Sequence, residues 1–473
     1  MKLRRFTDPG TFSARRLSVL VFSLYFSWLL AFPFEGQVLY ALAKSIDLDP
    51  RPMIFAAIAA HCTGLILCGL AVKTMAAARK LFLVSIAVAI ATVALFFLPP
   101  SRLWLPCLAL SSFLAGGSVA AWGFFFRAFT PAEERVKTAA DGLIASNILM
   151  TVMNMTAVNI SPYAGMALCL LALGGAWVCA FFLPVAGVPP AVSPCRGEQV
   201  CITRPLAFLY LFIAVITFNS GLMYQVINPA FAHLEWLTSW YWALPYVAAL
   251  YVMRNLPRTA NRNHCLYFGV SMMGFAFLAF TVLDRSPVSY LLINTLMLGA
   301  FGIYDLFWWS ILGELLDLSA NTAGVFGIGL SANVLGALAG GTFGGMLGGG
   351  VHHQSLLAMA VVCIVLAILP PLSKHLGELL KTHVFLTTFV ELPAEQQRQT
   401  LQTLVFPGGL TERESEIAAL IVRGKTYKQV AGELHVSENT VKTHVKNIYA
   451  KYNVQNRNQL LHLMIATDNP PLQ

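Results

Sequence analysis

The chain has 473 residues, of which 57% are apolar and only 11% charged, against roughly 25% charged in typical soluble chains. That composition excludes an ordinary soluble globular protein and a disordered one. The net charge of +9 lies largely in short loops between apolar runs, so membrane topology accounts for it better than a nucleic-acid surface does. Charged residues are sparse up to about residue 370 and ordinary in density after it.

A basic, cytoplasmic N-terminus over residues 1–16 holds Lys2, Arg4, Arg5, Arg15 and Arg16. Apolar runs long enough to span the bilayer as helices then recur. We read them at 17–38, 53–72, 81–98, 103–126, 140–160 and 163–184, and again at 205–227, 237–253, 265–283, 287–311, 321–347 and 354–372. Asn147, Asn154 and Asn159 make the fifth run the weakest. The Pro-rich loop 185–204 divides the set into two six-helix halves, 17–184 and 205–372.

Every second loop is usually basic: Lys73, Arg79 and Lys80; Arg127, Arg135 and Lys137; Arg196 and Arg204; Arg254, Arg258 and Arg262. This positive-inside pattern predicts that both chain ends are cytoplasmic. The segment around Glu314 and Asp317 has no basic residue and does not contribute to the pattern. Cys62, Cys68, Cys107, Cys169, Cys179 and Cys363 lie inside apolar runs, where helix packing explains them, and no metal or cofactor is expected.

Polar residues inside apolar runs are costly and are the natural candidates for a ligand pocket. Glu35, Asn219, Tyr224, Gln225, Asp305, Trp308 and Asn333 form that set, with interhelical hydrogen bonding as the structural alternative for each. Trp240, Trp242, Trp308 and Trp309 can equally be interfacial anchors. Glycines from Gly324 to Gly350, among them Gly336, Gly340, Gly341, Gly344 and Gly345, predict close helix packing.

Twelve spans in two halves resemble the major facilitator superfamily, whose halves are repeats around a central site. The superfamily's usual Gly-x-x-x-Asp-Arg-x-Gly-Arg loop is absent; the corresponding loop reads KTMAAARK. That departure weighs against active transport more than against the fold.

Residues 373–409 read as a linker, with a short helix expected from Pro393 through Leu404 before Pro407-Gly408-Gly409. The segment 410–466 has the pattern of a soluble domain. Thr411 and Glu414 form a capping box ahead of Ile417, Leu420 and Ile421, and Gly424 stops the helix. A second helix covers Tyr427–Leu434. After His435-Val436, Ser437 caps a third helix that carries Val441, Val445 and Ile448 on one face. Arg457 introduces a fourth through Leu460, Leu461 and Met464.

Two short helices joined by a tight turn, the second capped and basic, form a helix-turn-helix. The run LTERESEIAALIVRGKTYKQVAGELHVSENTVKTHVKNIYAKYNVQNR resembles the LuxR-type (NarL/FixJ-type) domain without a gap. Val430 and Tyr452 are mild departures. The resemblance implies a DNA-binding four-helix domain in which Ser437, Asn439, Thr440, Val441, Lys442, His444 and Lys446 line the DNA side, with Lys425, Lys428 and Lys451 as phosphate contacts. From Gly408 onward there are eight Lys/Arg against six Asp/Glu, so a single copy is expected to bind modestly and to work as a homodimer, as relatives commonly do.

The expectation is therefore an all-α protein: a polytopic transmembrane bundle of about twelve spans followed by a helix-turn-helix. Its expected partners are double-stranded DNA, the lipid bilayer of a bacterial cytoplasmic membrane and a small-molecule ligand. The alternative is a secondary transporter with a regulatory tail. No Walker loop, HExxH motif or nucleophile triad suggests an enzyme.

Overall fold

Long apolar runs and small residues leave this chain little choice but helices, and the computed structural model contains helices and no strands among the described residues. Those residues are 9–34, 36–185, 203–257, 262–318, 321–346, 351–391, 396–397, 401, 410–423, 425–457, 459–460 and 463–464. The chain divides into two compact units, Met1–Ala191 with Leu209–Leu369, and Val192–Phe208 with Pro370–Gln473.

The first half of the membrane unit holds α1 (Pro9–Ala31), α2 (Gln37–Ser45), α3 (Arg51–Ala71), α4 (Met75–Leu95), α5 (Trp104–Phe129), α6 (Arg135–Asn159) and α7 (Pro162–Phe181). The second half holds α8 (Thr203–Leu222), α9 (Ala243–Arg254), α10 (Arg262–Val282), α11 (Pro287–Leu315), α12 (Thr322–Met346) and α13 (Val351–Glu391). Ten described helices are long and apolar enough to cross a membrane. The 25-residue α6 and the 12-residue α9 stand at the fifth and eighth positions of the twelve-run pattern. Large apolar side chains such as Leu171, Phe268 and Val282 face outward, as lipid contact requires and water would penalise.

The asparagines of α6 are hydrogen-bonded within the bundle. The Asn147 amide donates to the Leu143 carbonyl at 2.8 Å, and the Asn154 side-chain oxygen accepts from the first N–H of α2 at 3.1 Å. Glycines permit close approach. A Cβ on Gly64 would lie 1.9 Å from the Phe113 carbonyl oxygen, and one on Gly116 would lie 2.1 Å from that of His61; α3 and α5 can pack backbone to backbone only because both positions lack one. In α12, a Cβ on Gly340 would meet the Phe218 carbonyl at 1.9 Å and one on Gly327 that of Leu65 at 2.2 Å. The predicted glycine packing thus holds at Gly336 and Gly340, whereas Gly345 faces open space. Gly348 to Gly350 lie outside the described residues.

Two expected span boundaries are corrected. The first span, expected over 17–38, ends at Ala31, and a separate helix α2 follows. Pro33 lacks an N–H to continue the ladder, and a Cβ at Gly36 would lie 2.0 Å from the Ala31 carbonyl oxygen. The eighth, expected over 237–253, is regular only from Ala243; residues 228–242 form short turns around Pro229. The last span, expected over 354–372, matches the apolar stretch Ser355–His375, and its helix α13 continues to Glu391 through Pro370 and Pro371. Leu, Glu and Lys after Pro371 are strong helix formers, so the first part of the expected linker is helical. Most of the helix expected over Pro393–Leu404 lies outside the described residues; Gln396, Gln397 and Leu401 are helical.

The C-terminal unit contains α14 (Glu412–Val422), α15 (Tyr427–Leu434) and α16 (Glu438–Lys451), followed by helical residues at 457, 459–460 and 463–464. Ile417, Ile421, Val422, Val430, Val441, Val445, Ile448, Leu460 and Met464 form its core. Each helix starts on its own cap. Thr411 and Glu414 form the expected capping box. Thr426 and Gln429 form a second one that the sequence reading missed, although T-x-x-Q is its ordinary signature. Ser437 accepts from the Thr440 N–H at 3.0 Å. His435, with φ 54°, makes the left-handed turn between α15 and α16. The Arg457 guanidinium donates to the Ile421 and Val422 carbonyls at 2.9 and 3.0 Å, closing the C-terminal end of α14.

Candidate DNA interface and membrane cavity

The helical period of α16 sorts the predicted DNA residues into two groups. Asn439, Thr440, Lys442 and Lys446 are exposed, as are Ser437 and Lys428. Thr443 and Asn447 are exposed beside them; the sequence reading omitted both, although two successive steps of four from Asn439 reach them. Val441 is a correction. It is fully buried in the core with Val445 and Ile448, because steps of four and three place all three on the inward face. His444 is half-buried and its Nδ1 has no hydrogen-bond partner.

The lysines also separate. Lys442 pairs with Glu438 at 3.1 Å, one turn away on an exposed face, and is easily redirected. Lys425 is held by Glu433. Lys451 is exposed and binds the buried Glu414 carboxylate at 2.6 Å, tying the end of α16 to the start of α14. Burial alone would raise the Glu414 pKa, but the Lys451 ammonium and the Thr411 backbone and hydroxyl bonds outweigh it and hold the carboxyl below its usual value.

In the membrane unit, the two halves enclose a cavity of about 490 Å³, within the range of sites for drug-sized ligands. Its wall brings together Tyr224, Gln225, Asp305, Trp308 and Asn333 from the predicted set. Asn219 is not part of the wall; it is fully buried between helices, with neither side-chain polar atom paired. Glu35 lies outside the described residues. Tyr224 and Gln225 sit in a π-helical turn, Met223–Ile227, a local widening that often marks a functional site. Trp308 and Trp309 are 0% and 4% exposed, so they are cavity wall and not interfacial anchors.

Sequence reasoning missed His61, Asn147, Trp242 and Tyr246, which share the wall. The Tyr246 hydroxyl donates to the Asp305 carboxylate at 2.5 Å. Wall residues on α3 run from Arg51 to Leu65, about 20 Å along a helix. Beyond Leu65 the halves touch. Phe22 and Trp122 of the first half meet Trp309 of the second edge-on at 5.5 and 5.9 Å, and Trp122 meets Phe326 edge-on at 6.2 Å. Below these rings, Asp317 accepts from both Arg127 at 3.3 Å and Arg135 at 2.8 Å. Arg254 pairs with Asp141 at 2.6 Å. Each of these ion pairs joins a first-half helix to a second-half segment. One end of the bundle is therefore closed by glycine contacts, rings and ion pairs, and the cavity occupies the other.

With this geometry in hand, comparison with known proteins separates the same two parts. The model of the family described as "Bacterial regulatory proteins, luxR family" matches residues 409–464. The HTH-type transcriptional regulator MalT of Vibrio cholerae is 43% identical over 68 residues, which cover 13% of this chain and 8% of that protein; the chain thus spans a small fraction of that relative. Two solved structures cover the remainder. The human organic anion transporter MFSD10 superposes with a TM-score of 0.59 at 14% identity, over 76% of this chain and 98% of that one. The major facilitator superfamily proton:xylose symporter XylE gives 0.57 at 13% identity, over 78% and 96%. The C-terminal domain is a LuxR-type helix-turn-helix DNA-binding domain. The membrane unit has the major facilitator fold.

Proposed function

We propose that this chain is a membrane-bound bacterial transcription regulator that senses a small molecule in its membrane cavity and binds operator DNA through α16. The carrying observation is the coexistence, in one chain, of a LuxR-type domain and a cavity walled by both halves of the bundle. In the proposed topology both chain ends are cytoplasmic, in the inner membrane, which puts α16 within reach of the chromosome. Asn439, Thr440, Lys442 and Lys446 read or position DNA; Lys428 contacts phosphate; a homodimer supplies the second half-site.

The mechanism is linkage. A ligand that prefers one arrangement of the two halves shifts its population by its differential affinity. The ion pairs of Asp317 and Asp141 are the contacts that such a change would have to break. DNA affinity then depends on cavity occupancy.

Binding of full-length protein in nanodiscs to genomic fragments tests the DNA half of this reading. Wild type should select fragments, and a Thr440→Ala/Lys442→Ala double variant should lose them while melting at the same temperature. Equal binding by both contradicts it. The transporter fold favours one second reading, secondary transport with a regulatory tail. Saturable uptake of a cavity ligand by proteoliposomes, with no selective DNA binding, would establish that instead.

A further inference from the structure

We infer that the membrane cavity takes a small aromatic or apolar cation, with Asp305 as its counter-charge. This rests on the sensor reading only for its consequence at DNA; the binding chemistry stands separately.

Among the described wall residues Asp305 is the one carboxylate. An ionisable group at membrane depth is retained at a cost and is normally matched by an opposite charge. Here its hydrogen-bond donor is the neutral hydroxyl of Tyr246, and no basic side chain pairs with it among the described residues. The one Arg or Lys among the described wall residues, Arg51, is engaged elsewhere: its guanidinium donates to both Asp49 oxygens at 2.9 to 3.1 Å at the solvent-exposed end of the cavity. His61, the remaining titratable nitrogen base in the wall, is buried with Nδ1 unpartnered. The countercharge that the protein does not supply is left to a ligand.

The rest of the wall specifies the body of that ligand. Phe26, Phe34, Phe301, Trp308 and Trp309 surround the space, offering ring faces that attract both apolar surface and cations. The Trp308 indole N–H is buried with no acceptor among the described residues, so an oxygen or other acceptor on the ligand would satisfy it. An organic anion would place its charge against Asp305 and is disfavoured.

The test uses full-length protein in nanodiscs, with empty nanodiscs subtracted, and three probes of one shape: 1-naphthylmethylamine, 1-naphthalenemethanol and 1-naphthoate. Isothermal titration should give the amine about tenfold or greater preference over the alcohol, the scale of one charge-assisted hydrogen bond, with naphthoate weakest. Asp305→Asn keeps the side-chain shape and should bring the amine-to-alcohol ratio close to one. Equal or tighter binding of the alcohol or naphthoate to wild type overturns the inference, as does a preference that survives Asp305→Asn. Should that variant not fold, the wild-type series decides alone. Amine binding that leaves DNA affinity unmoved would sink the sensor reading and leave the ligand class standing.

Discussion

The membrane unit and the helix-turn-helix domain are held together by opposite means. In the C-terminal domain specificity is local: three side-chain caps, left-handed residues at His435 and Asn453 and a core of aliphatic residues at helical spacing. In the membrane unit the helices carry few such signals, and specificity lies in which backbones can touch. Lipid gives no hydrophobic drive to assemble apolar helices, so missing Cβ atoms and a few buried ion pairs select the arrangement. A short capped domain is therefore recognisable from one sequence, whereas contacts between distant helices are not.

That contrast is open to direct attack. The largest effect is expected for Gly340→Leu, whose side chain would drive into the Phe218 carbonyl. The membrane unit should lose its detergent-stable fold, seen as loss of a monodisperse peak, while the far shorter caps of the C-terminal domain stay intact by NMR or proteolysis. Next is Asp317→Asn, which removes the carboxylate shared by Arg127 and Arg135, 7% and 4% exposed. Breaking one partner of a buried pair costs about 3 kcal/mol or more, so the thermal midpoint in detergent should fall by several degrees; an unchanged midpoint would mean that the closed end does not depend on this cluster.

Smaller effects are expected in the C-terminal domain. Glu414→Ala removes half of the capping box and the partner of Lys451, with a loss of about 1–2 kcal/mol in urea unfolding followed by a label on this domain. The wild-type contribution should also depend on pH. The folded carboxyl is held below its ordinary value, so its stabilisation is complete above the unfolded carboxyl's pKa and disappears as pH falls through the folded one. The stability difference between wild type and Glu414→Ala should accordingly shrink on acidification and stay constant from neutral pH upward. The smallest is Lys446→Ala, an exposed cation on α16: DNA affinity should weaken at all sequences alike, and the slope of log affinity against log salt should fall by about one.

The same contrast explains what was legible beforehand. The number and spacing of apolar runs gave the bundle, and α6 was weak for a reason that the structure confirms: its asparagines bond to the helix backbone and to α2. The break at Pro33, the turns before α9 and the continuation of α13 past two prolines were not legible, because hydropathy counts residues and ignores backbone geometry. In the cavity, five of the seven predicted residues share one wall. Asn219 could not be separated from them by sequence, since burial between helices and exposure to a cavity look alike along a chain. Tyr246 could not be found because its importance comes from Asp305, on another helix. Val441 was assigned to DNA from a motif, although the periodicity of α16 already put it inside.

The central claim is that one chain couples its membrane cavity to DNA. The direct test is DNA affinity of the full-length protein in nanodiscs, on a fragment it selects, across a panel of compounds whose occupancy of the cavity is read by tryptophan fluorescence in wild type and lost in Trp308→Ala. The account predicts that at least one occupying compound shifts DNA affinity by about fivefold or more in wild type and leaves Trp308→Ala unaffected. Identical DNA affinity with every occupying compound would contradict it.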